Sequence, residues 1–222
     1  MLLSTSHNFV YVHVPRTAGS SIEQVLRPWA RDGVNNITGK LIYRLRQPLL
    51  WQHCHFRHHE RMRSINIRLP ASLRQALYSF AFVRNPFDWL VSLYEYQRQL
   101  PSHRKYNKIS DMDFADYVDY EIARNRRYQW PLICDQHKHC LLRAVGRYES
   151  LAADFASICR QIGLPAPALP QVNTSQHRDY RSYYDAALIA QVAAHWHTDL
   201  LMFGYDFESW QQPQTSSAVP WL

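Results

Sequence analysis

The stretch from Phe9 to Leu26, F-V-Y-V-H-V-P-R-T-A-G-S-S-I-E-Q-V-L, constrains the fold more than any other part of the chain. It opens as an apolar, β-branched run, breaks at Pro15, passes through small residues and resumes with apolar residues at helical spacing. This pattern predicts a strand, a tight loop and a helix capped by Ser20 or Ser21. Such a junction points backbone N–H groups and the positive end of a helix dipole at one spot. It therefore predicts a binding site for a phosphate or sulfate group.

A second strand-to-helix junction is predicted further along the chain. Residues 79–83, S-F-A-F-V, form a short continuous apolar run, which is typical of a strand buried on both faces. Asn85 fits a helix N-cap, and Asp88 stands where its carboxylate can reach back to that cap. The junction is therefore expected to place Arg84 at the carboxyl edge of the sheet, beside the helix that carries Ser92.

The remaining patterns add one strand and several helices. A third strand is predicted at 143–148, and helices at 72–77, from a capping box at 110–113, at 151–162 and at 185–203, whereas 37–50 is ambiguous between helix and irregular structure. Strands that alternate with helices predict a parallel sheet with ligands at the carboxyl ends of the strands. The predicted fold class is α/β, as one domain over residues 1–210 with a loose tail at 211–222.

Charge and composition exclude only a few classes of function. The 222 residues carry a net charge of +7, which suits a polyanionic ligand but does not choose among nucleotides, acidic polysaccharides and nucleic acids. No helix-turn-helix, zinc-finger or RNP pattern supports nucleic-acid binding. The chain shows neither a signal-peptide pattern nor an apolar segment of membrane-spanning length, so a cytoplasmic protein without a membrane partner is expected. The four cysteines follow no disulfide framework and are expected to be reduced.

Both junctions resemble those of the superfamily of sulfotransferases that use 3′-phosphoadenosine 5′-phosphosulfate (PAPS). P-R-T-A-G-S-S at 15–21 resembles the family's loop for the 5′-phosphosulfate, and F-V-R-N-P-F-D-W-L-V-S-L-Y at 82–94 resembles its strand and helix for the 3′-phosphate. R-Y-E-S-L-A-A-D-F at 147–155 and N-T-S at 173–175 resemble its C-terminal signature. The similarity is strongest to the carbohydrate branch that includes heparan sulfate 2-O-sulfotransferase and its bacterial relatives.

This resemblance implies a fold, a donor and a set of donor-binding residues. The implied fold is a three-layer α/β/α sandwich with a central parallel sheet, related to the P-loop kinases. PAPS is the implied co-substrate, the acceptor is a hydroxyl or an amine, and no metal is needed. The residues implied to bind PAPS are Arg16, Thr17, Ala18, Gly19, Ser20, Ser21, Arg84 and Ser92.

Arg16 departs from the pattern of the branch, which mostly has Lys at this position. An Arg side chain keeps the positive charge, but its pKa is too high for it to give up a proton. We therefore expect Arg16 to stabilise charge on the leaving group rather than to act as a general acid. Tyrosylprotein sulfotransferases resemble this chain in having Arg in the same loop.

The catalytic base implied by the resemblance is a histidine. Q-H-C-H-F at 52–56 resembles a G-H-x-S-F-like segment of the 2-O-sulfotransferase branch, which places His53 at the family's catalytic position and His55 as the second choice. A neutral imidazole suits removal of the acceptor proton near pH 7. The alternative is that these histidines pack in the loop or line the acceptor site.

Other polar residues of the chain admit structural or functional interpretations. The histidines 53, 55, 58 and 59, or the segment C-D-Q-H-K-H-C at 134–140, could bind a metal ion, but neither has the spacing of a common zinc module. His13 is expected to be a core residue, and Glu149 either caps a helix or positions a substrate. His195 and His197 are expected to be structural. The basic residues of the middle helices either face solvent or steer an anionic acceptor; they are Arg98, Arg104, Lys105, Lys108, Arg124, Arg126 and Arg127.

The sequence thus predicts a sulfotransferase that moves a sulfuryl group from PAPS to a hydroxyl-bearing acceptor, with an anionic saccharide as one acceptor class. A nucleotide-dependent kinase-like P-loop protein is an alternative, although the loop has one Gly and no Walker Lys. The further alternatives are a polyanion-binding module without catalysis and a family member that binds PAPS but has lost activity. No pattern indicates an oligomeric state.

Overall fold

The computed structural model describes residues 1–31, 37–125, 128–170 and 178–208. Within these ranges the β-strands are Leu2–Ser4 (β1), Phe9–Val12 (β2), Tyr78–Val83 (β3) and Ala144–Arg147 (β4). The α-helices are Gly19–Leu26 (α1), Ile37–Leu45 (α2), Met62–Arg68 (α3), Ala71–Ala76 (α4), Pro86–Gln99 (α5), Tyr106–Ile109 (α6), Phe114–Arg124 (α7), Trp130–Ile133 (α8), Leu151–Gln161 (α9), Ala186–His195 (α10) and His197–Phe203 (α11). Short 3₁₀ helices lie at Arg27–Trp29, Pro48–His53 and Tyr180–Tyr183.

The strands form one sheet in the order β1-β2-β3-β4. β2, β3 and β4 are parallel, with Val12 opposite Ala81 and Val83 opposite Arg147. β1 runs antiparallel to β2 and is an edge strand that the sequence patterns did not predict, because three residues are too few to show an alternation. The predicted α/β class is confirmed. The carboxyl ends of the three parallel strands lie along one edge of the sheet, where such folds bind ligands.

One face of the sheet carries an aromatic core. Residues at alternate positions of a strand share a face, and this places Phe9 with Tyr11 and Phe80 with Phe82 on the same side. The buried side chains that pack together there are Phe9, Tyr11, Ile22, Leu26, Phe80, Phe82, Phe155, Ile158 and Cys159. Each large side chain of this kind contributes about 1.5–3 kcal/mol through burial. Because β2 and α1 are both anchored in this core, the loop between them is held at both ends.

Three predictions about helices were wrong. The cap of α1 was expected at Ser20 or Ser21, but the helix begins at Gly19 and its N-cap is Ala18, without a capping hydrogen bond from a side chain. The helix expected at 185–203 is two helices, α10 and α11, because the chain turns at Trp196 (φ −94°, ψ 19°). The apolar spacing runs unbroken through both helices, so the pattern carried no sign of this break. The N-cap of α7 is Asp113, whose carboxylate accepts from the Asp116 N–H, and not Ser110, which follows α6 instead.

The structure shows which elements the ambiguous stretch at 37–50 forms and how the predicted second junction is built. Residues 37–50 comprise α2 and the start of the 3₁₀ helix Pro48–His53. At the head of α5 the side chain of Asn85 accepts from the Phe87 N–H, as expected of an N-cap. The Asp88 carboxylate, predicted to reach back to the cap, pairs with Arg84.

The described residues divide into two compact units. One contains residues 1–83 and 130–170, with the whole sheet, and the other contains residues 84–129 and 178–208. The single domain over 1–210 stays a prediction, and the predicted tail at 211–222 lies outside the described residues. None of the described helices combines the length and the apolar character needed to cross a membrane.

Candidate active site

The β2–α1 loop, residues 13–18, has two non-glycine residues in the left-handed region. Arg16 has φ 63° and Ala18 has φ 61°. Each such residue costs about 1–2 kcal/mol, so their conformation is imposed by the surrounding structure. Turns that include left-handed residues bring successive backbone N–H groups together into anion-binding concavities, and α1 begins directly after Ala18. The loop therefore has the backbone form expected of an anion site at a helix N-terminus.

The hydroxyl-bearing residues of this loop differ in their surroundings. Thr17 is fully buried, and its hydroxyl donates to the Val14 carbonyl at 2.9 Å, which closes the loop. Ser21 is buried in the first turn of α1, and Ser20 is half-buried. Arg16 is half-buried as well. The predicted contribution of Thr17 to an anion site is thus through its backbone N–H, because its hydroxyl proton is engaged within the loop.

Gly19 is required at the start of α1 because the ring of His13 occupies the space beside it. A Cβ atom at Gly19 would lie 1.9 Å from His13 Nε2, 2.3 Å from Cδ2 and 2.5 Å from Cε1. The two carbons are nearly as close as the nitrogen, so Gly19 sits over the face of the ring. His13 thus packs directly against the first turn of the helix.

Glu23 connects α1 to the end of β2. Its buried carboxylate accepts a hydrogen bond from His13 Nδ1 at 3.0 Å and lies 3.6 Å from His58 Nδ1 and 3.4 Å from the amino group of Met1. Burial disfavours the charged form of Glu23. The hydrogen bond from His13 and the nearby positive charges outweigh this effect and lower the pKa of Glu23 to about 2. Glu23 is therefore a carboxylate throughout the physiological range.

His58 and His59, two exposed histidines in the turn after residue 57, lie against His13 as well. His59 Nδ1 donates to the carbonyl of His13 at 3.0 Å. The ring centroids of His13, His58 and His59 are 4.3, 4.7 and 4.5 Å apart. The His58 side chain is about half exposed, and desolvation of its packed side, followed by repulsion between two protonated rings when His13 is also charged, lowers the pKa of His58 to about 4. Burial also lowers the pKa of His59, although its hydrogen bond to the His13 carbonyl acts in the opposite direction.

The predicted bases His53 and His55 lie in the stretch that precedes this turn. His53 is exposed at the end of its 3₁₀ helix. The N–H of His55 donates to the Gly39 carbonyl, and its Nδ1 is buried without a hydrogen-bond partner among the described residues. Among the described contacts, the histidines of this region that touch the end of β2 are His58 and His59. The assignment of a base to His53 or His55 stays a prediction.

In the second unit, Arg84, Asp88 and Ser92 follow one another at intervals of four residues. Asp88 and Ser92 therefore share one face of α5, and Arg84 lies just before the N-cap Asn85 of that helix. Arg84 Nε donates to Asp88 Oδ2 at 2.7 Å, and both side chains are buried. Ser92 is fully buried. The ion pair through Nε fixes the plane of the guanidinium, whose terminal nitrogens form the fork that suits a phosphate.

The backbone of Arg84 is held by a glutamine far along the chain. Gln129 Oε1 accepts from the Arg84 N–H at 2.9 Å, and Gln129 Nε2 donates to the Arg84 carbonyl at 2.7 Å. Gln129 is itself fixed, because its own N–H donates to the buried carboxylate of Asp199 at 2.9 Å. We call this arrangement the Gln129 clamp. It sets the position of Arg84 with hydrogen bonds that do not involve its guanidinium.

The second predicted metal cluster forms a small hairpin. Cys134 and Cys140 lie opposite each other in an antiparallel bridge, and a hydrogen bond with Cys134 lowers the pKa of Cys140. The rings of His137 and His139 are exposed, with centroids 6.1 Å apart. Among the described residues, the histidines, cysteines and carboxylates that converge as a possible metal-ligand set are His13, His58 and His59, and not this hairpin.

The structure places several other predicted residues. His195 stacks on Tyr128, whose hydroxyl lies 2.9 Å from His195 Nε2, so a structural role is supported. Glu149 follows β4 in the segment that leads to α9. The N-T-S motif at 173–175 and the arginines 126 and 127 lie outside the described residues.

The basic residues of the middle helices are not a uniformly solvated face. Lys105 is buried and pairs with the fully buried Glu121 at 2.9 Å, and Arg124 pairs with the same carboxylate at 3.0 Å. Arg104 and Lys108 are exposed. Part of the positive charge in this region is therefore neutralised inside the protein.

Sequence reasoning missed Glu23, Gln129 and Asp199. Glu23 and Asp199 carried a usable signal, because Glu23 stands three residues before Leu26 and Asp199 four residues before Phe203, which places each carboxylate on the apolar side of its helix. Buried carboxylates are rare without partners. Gln129 carried no comparable signal, since its role depends on contacts with residues distant in sequence.

The comparisons with known proteins agree with the predicted family and fold class. A family model described as "Sulfotransferase family" matches residues 1–206. An uncharacterized protein of Archaeoglobus fulgidus is 28% identical over 106 residues, which cover 46% of this chain and 81% of that protein. No solved structure shows a significant match. Since the family match spans nearly all of the described residues, including the β2–α1 loop and the junction at Arg84, the chain belongs to the sulfotransferase family.

Proposed function

We propose that this protein transfers a sulfuryl group from PAPS to a hydroxyl of an acceptor, with carbohydrates as the first acceptor class to test. The observation that carries the proposal is the β2–α1 loop. In a member of the sulfotransferase family, two left-handed residues that lead into a helix N-terminus support the assignment of this loop to the sulfated end of a nucleotide. The resemblance to the heparan sulfate 2-O-sulfotransferase branch supports the choice of acceptor class.

In this proposal the loop binds the 5′-phosphosulfate. Backbone N–H groups between Thr17 and Ser21 donate to the 5′-phosphate, with the first turn of α1 adding its dipole. Arg16 lies against the bridging oxygen, where negative charge develops as the S–O bond breaks. The loop has no Walker Lys, which favours a phosphosulfate over a nucleoside triphosphate.

Arg84 and Ser92 are proposed to bind the 3′-phosphate, the group that distinguishes PAPS from ATP. The Asp88 ion pair and the Gln129 clamp hold Arg84 in one orientation before the ligand arrives. A preorganised Arg loses less entropy on binding, and a charged hydrogen bond of this kind contributes about 1.5–3 kcal/mol.

The proposed reaction is an in-line displacement at sulfur. The acceptor oxygen forms a bond to sulfur while the bond from sulfur to the phosphate oxygen breaks, and 3′-phosphoadenosine 5′-phosphate (PAP) leaves. A histidine takes the acceptor proton, with His53 as the first candidate and His55 as the second. Arg16 stabilises the charge on PAP and keeps its own proton.

A thermal-shift comparison of PAP, PAPS, ATP and adenosine 5′-phosphosulfate tests the donor. A ligand present at about a hundred times its Kd adds about 2.7 kcal/mol of stability. We expect PAP and PAPS to raise the Tm and ATP to have little effect. Stabilisation by ATP alone would support the kinase-like alternative, and no response to millimolar PAP would overturn the proposal.

Turnover of His53→Ala and His55→Ala tests the base. We expect His53→Ala to keep PAP binding and to lose turnover with every acceptor. Normal turnover in His53→Ala combined with loss in His55→Ala would assign the base to His55. A wild-type protein that binds PAP but transfers no sulfuryl group to any hydroxyl acceptor would support a non-catalytic member of the family.

A further inference from the structure

We propose that His13, His58 and His59 form a binding site for a transition-metal ion, with Zn²⁺ as the best match. The sequence suggested two other metal clusters, and neither contained His13. One potential ligand atom from each of these three histidines lies within 4.8 Å of the other two. Imidazole nitrogen is a preferred ligand of Zn²⁺, Co²⁺ and Ni²⁺. The site is independent of the proposed sulfuryl transfer, which needs no metal.

Hydrogen bonds engage Nδ1 in two of these rings and leave Nε2 available for a metal. Since a carboxylate and a carbonyl can only accept, His13 donates its Nδ1–H to Glu23 and His59 donates its Nδ1–H to the His13 carbonyl. In each neutral ring the lone pair is then on Nε2. A carboxylate or backbone carbonyl behind each ligating histidine is the usual arrangement at zinc centres.

The in-plane side of His13 Nε2 is compatible with a ligand. Gly19 approaches this atom over the face of the ring, as the similar distances to Nε2, Cδ2 and Cε1 show. The lone pair points along the ring plane, away from that contact. Gly19 therefore fixes the ring without covering the direction in which a metal would bind.

Metal binding requires the three ligand nitrogens to move slightly closer together around the ion. Zn–N bonds of about 2.0–2.1 Å in a tetrahedral site put the nitrogens about 3.4 Å apart, closer than the 4.8 Å span of the cluster. His58 is exposed and belongs to a turn, so its side chain can rotate toward the buried His13, whereas His59 is already held there by its hydrogen bond to the His13 carbonyl. Three histidine ligands leave a fourth position for water or a small anion. Metal binding would tie this turn to the end of β2, beside the first turn of α1.

Metal titrations of protein purified without a histidine tag and stripped with chelator test the site. We expect Co²⁺ to give the visible absorption of a tetrahedral complex, Zn²⁺ to displace it, and both ions to raise the Tm, whereas Mg²⁺ and Ca²⁺ have no effect. His58→Ala/His59→Ala should lose the spectrum and the Tm rise. Glu23→Gln, which removes the negative charge behind His13, should weaken the affinity by about 10–100-fold, as is typical when the partner of a ligating histidine is mutated.

The matched control is His137→Ala/His139→Ala, which also removes two exposed histidines from one loop. It should keep the full response. His58→Asn, with circular dichroism as a check of folding, covers the case in which the double variant is unstable. A wild-type protein without the Co²⁺ spectrum, a response that persists in folded His58→Ala/His59→Ala, or a response lost only in the hairpin control would each overturn the proposal.

Discussion

At the scale of single residues, Ala18 and Gly19 show how the β2–α1 loop depends on side-chain size. Ala18 adopts a left-handed conformation in which its Cβ atom is unfavourable. Gly19 is helical, but the ring of His13 leaves no room for a Cβ atom. A Cβ atom is therefore unfavourable at both positions, for a conformational reason at Ala18 and for a steric reason at Gly19.

Substituting each of these two residues on its own gives the first prediction. Gly19→Ala should destabilise the protein by about 1–3 kcal/mol, because the buried ring of His13 must move. Ala18→Gly should be neutral or stabilise by up to about 1 kcal/mol, because relief of the left-handed strain is partly offset by the freer unfolded chain. Chemical denaturation measures both. Equal destabilisation by the two changes would contradict the described loop.

Arg84 and Asp88 give a second prediction at this scale. Arg84→Ala leaves the buried Asp88 carboxylate unpaired and should cost about 3–5 kcal/mol of stability. Arg84→Ala/Asp88→Asn removes both charges and should lose less. In both variants PAP binding should weaken by at least about tenfold, since a charged hydrogen bond to phosphate is lost.

Isothermal titration calorimetry with PAP measures the loss of affinity, and denaturation curves measure the loss of stability. Asp88→Asn alone is the control, because it keeps the guanidinium and should still bind PAP. If the folded double variant binds PAP as tightly as the wild type, Arg84 does not contact the 3′-phosphate.

At the scale of elements, the head of α5 is positioned by contacts from distant parts of the second unit. The Gln129 clamp holds the backbone of Arg84, and the side-chain amide of Asn85 donates to the Asp206 carbonyl at 2.9 Å. The sequence predicted the start of this helix from Asn85 and Pro86. It did not predict the partners, because hydrogen bonds between residues more than 40 positions apart leave no local pattern.

Breaking the clamp gives a third prediction. Gln129→Ala leaves the N–H and the carbonyl of Arg84 without their partner in a buried place, and this should cost about 2–4 kcal/mol. PAP affinity should also fall, because Arg84 is no longer held. Gln136→Ala, in the exposed part of the hairpin, is the control and should change neither quantity. A Gln129→Ala protein with wild-type stability would show that the clamp contributes nothing.

At the scale of the whole molecule, the positive groups behind the net charge of +7 are partly buried and partly exposed. Lys105 is buried against Glu121, whereas Arg104 and Lys108 are exposed nearby in sequence. Exposed charges act over about 8–10 Å at physiological salt and can steer an anionic acceptor. Buried and paired charges contribute little to such steering.

The fourth prediction concerns this steering. Arg104→Glu/Lys108→Glu should lower kcat/KM several-fold for an anionic saccharide acceptor and leave a neutral acceptor nearly unchanged, and the effect should shrink as salt is raised from about 50 to 200 mM. The matched control, Arg44→Glu/Arg46→Glu, changes the net charge equally at exposed positions of another region. Equal effects of both pairs on the anionic acceptor would mean that only the overall charge matters.

The sequence by itself determined the α/β class, three of the four described strands, the strand–loop–helix junction between β2 and α1 and the resemblance to sulfotransferases. These features depend on local periodicity, turn chemistry and short motifs, which are properties of neighbouring residues. The break at Trp196 escaped detection because the apolar spacing continues across it.

Only the tertiary structure decided which polar groups meet. It joined His13 to Glu23, His58 and His59, and it set Gln129 on the backbone of Arg84. A histidine just after a strand and two histidines in a turn give no sign that they will converge, because convergence depends on how β2, α1 and the turn pack. The physical reason is that burial and hydrogen bonding act between residues that are close in space, and the order of the chain specifies this closeness only through the fold.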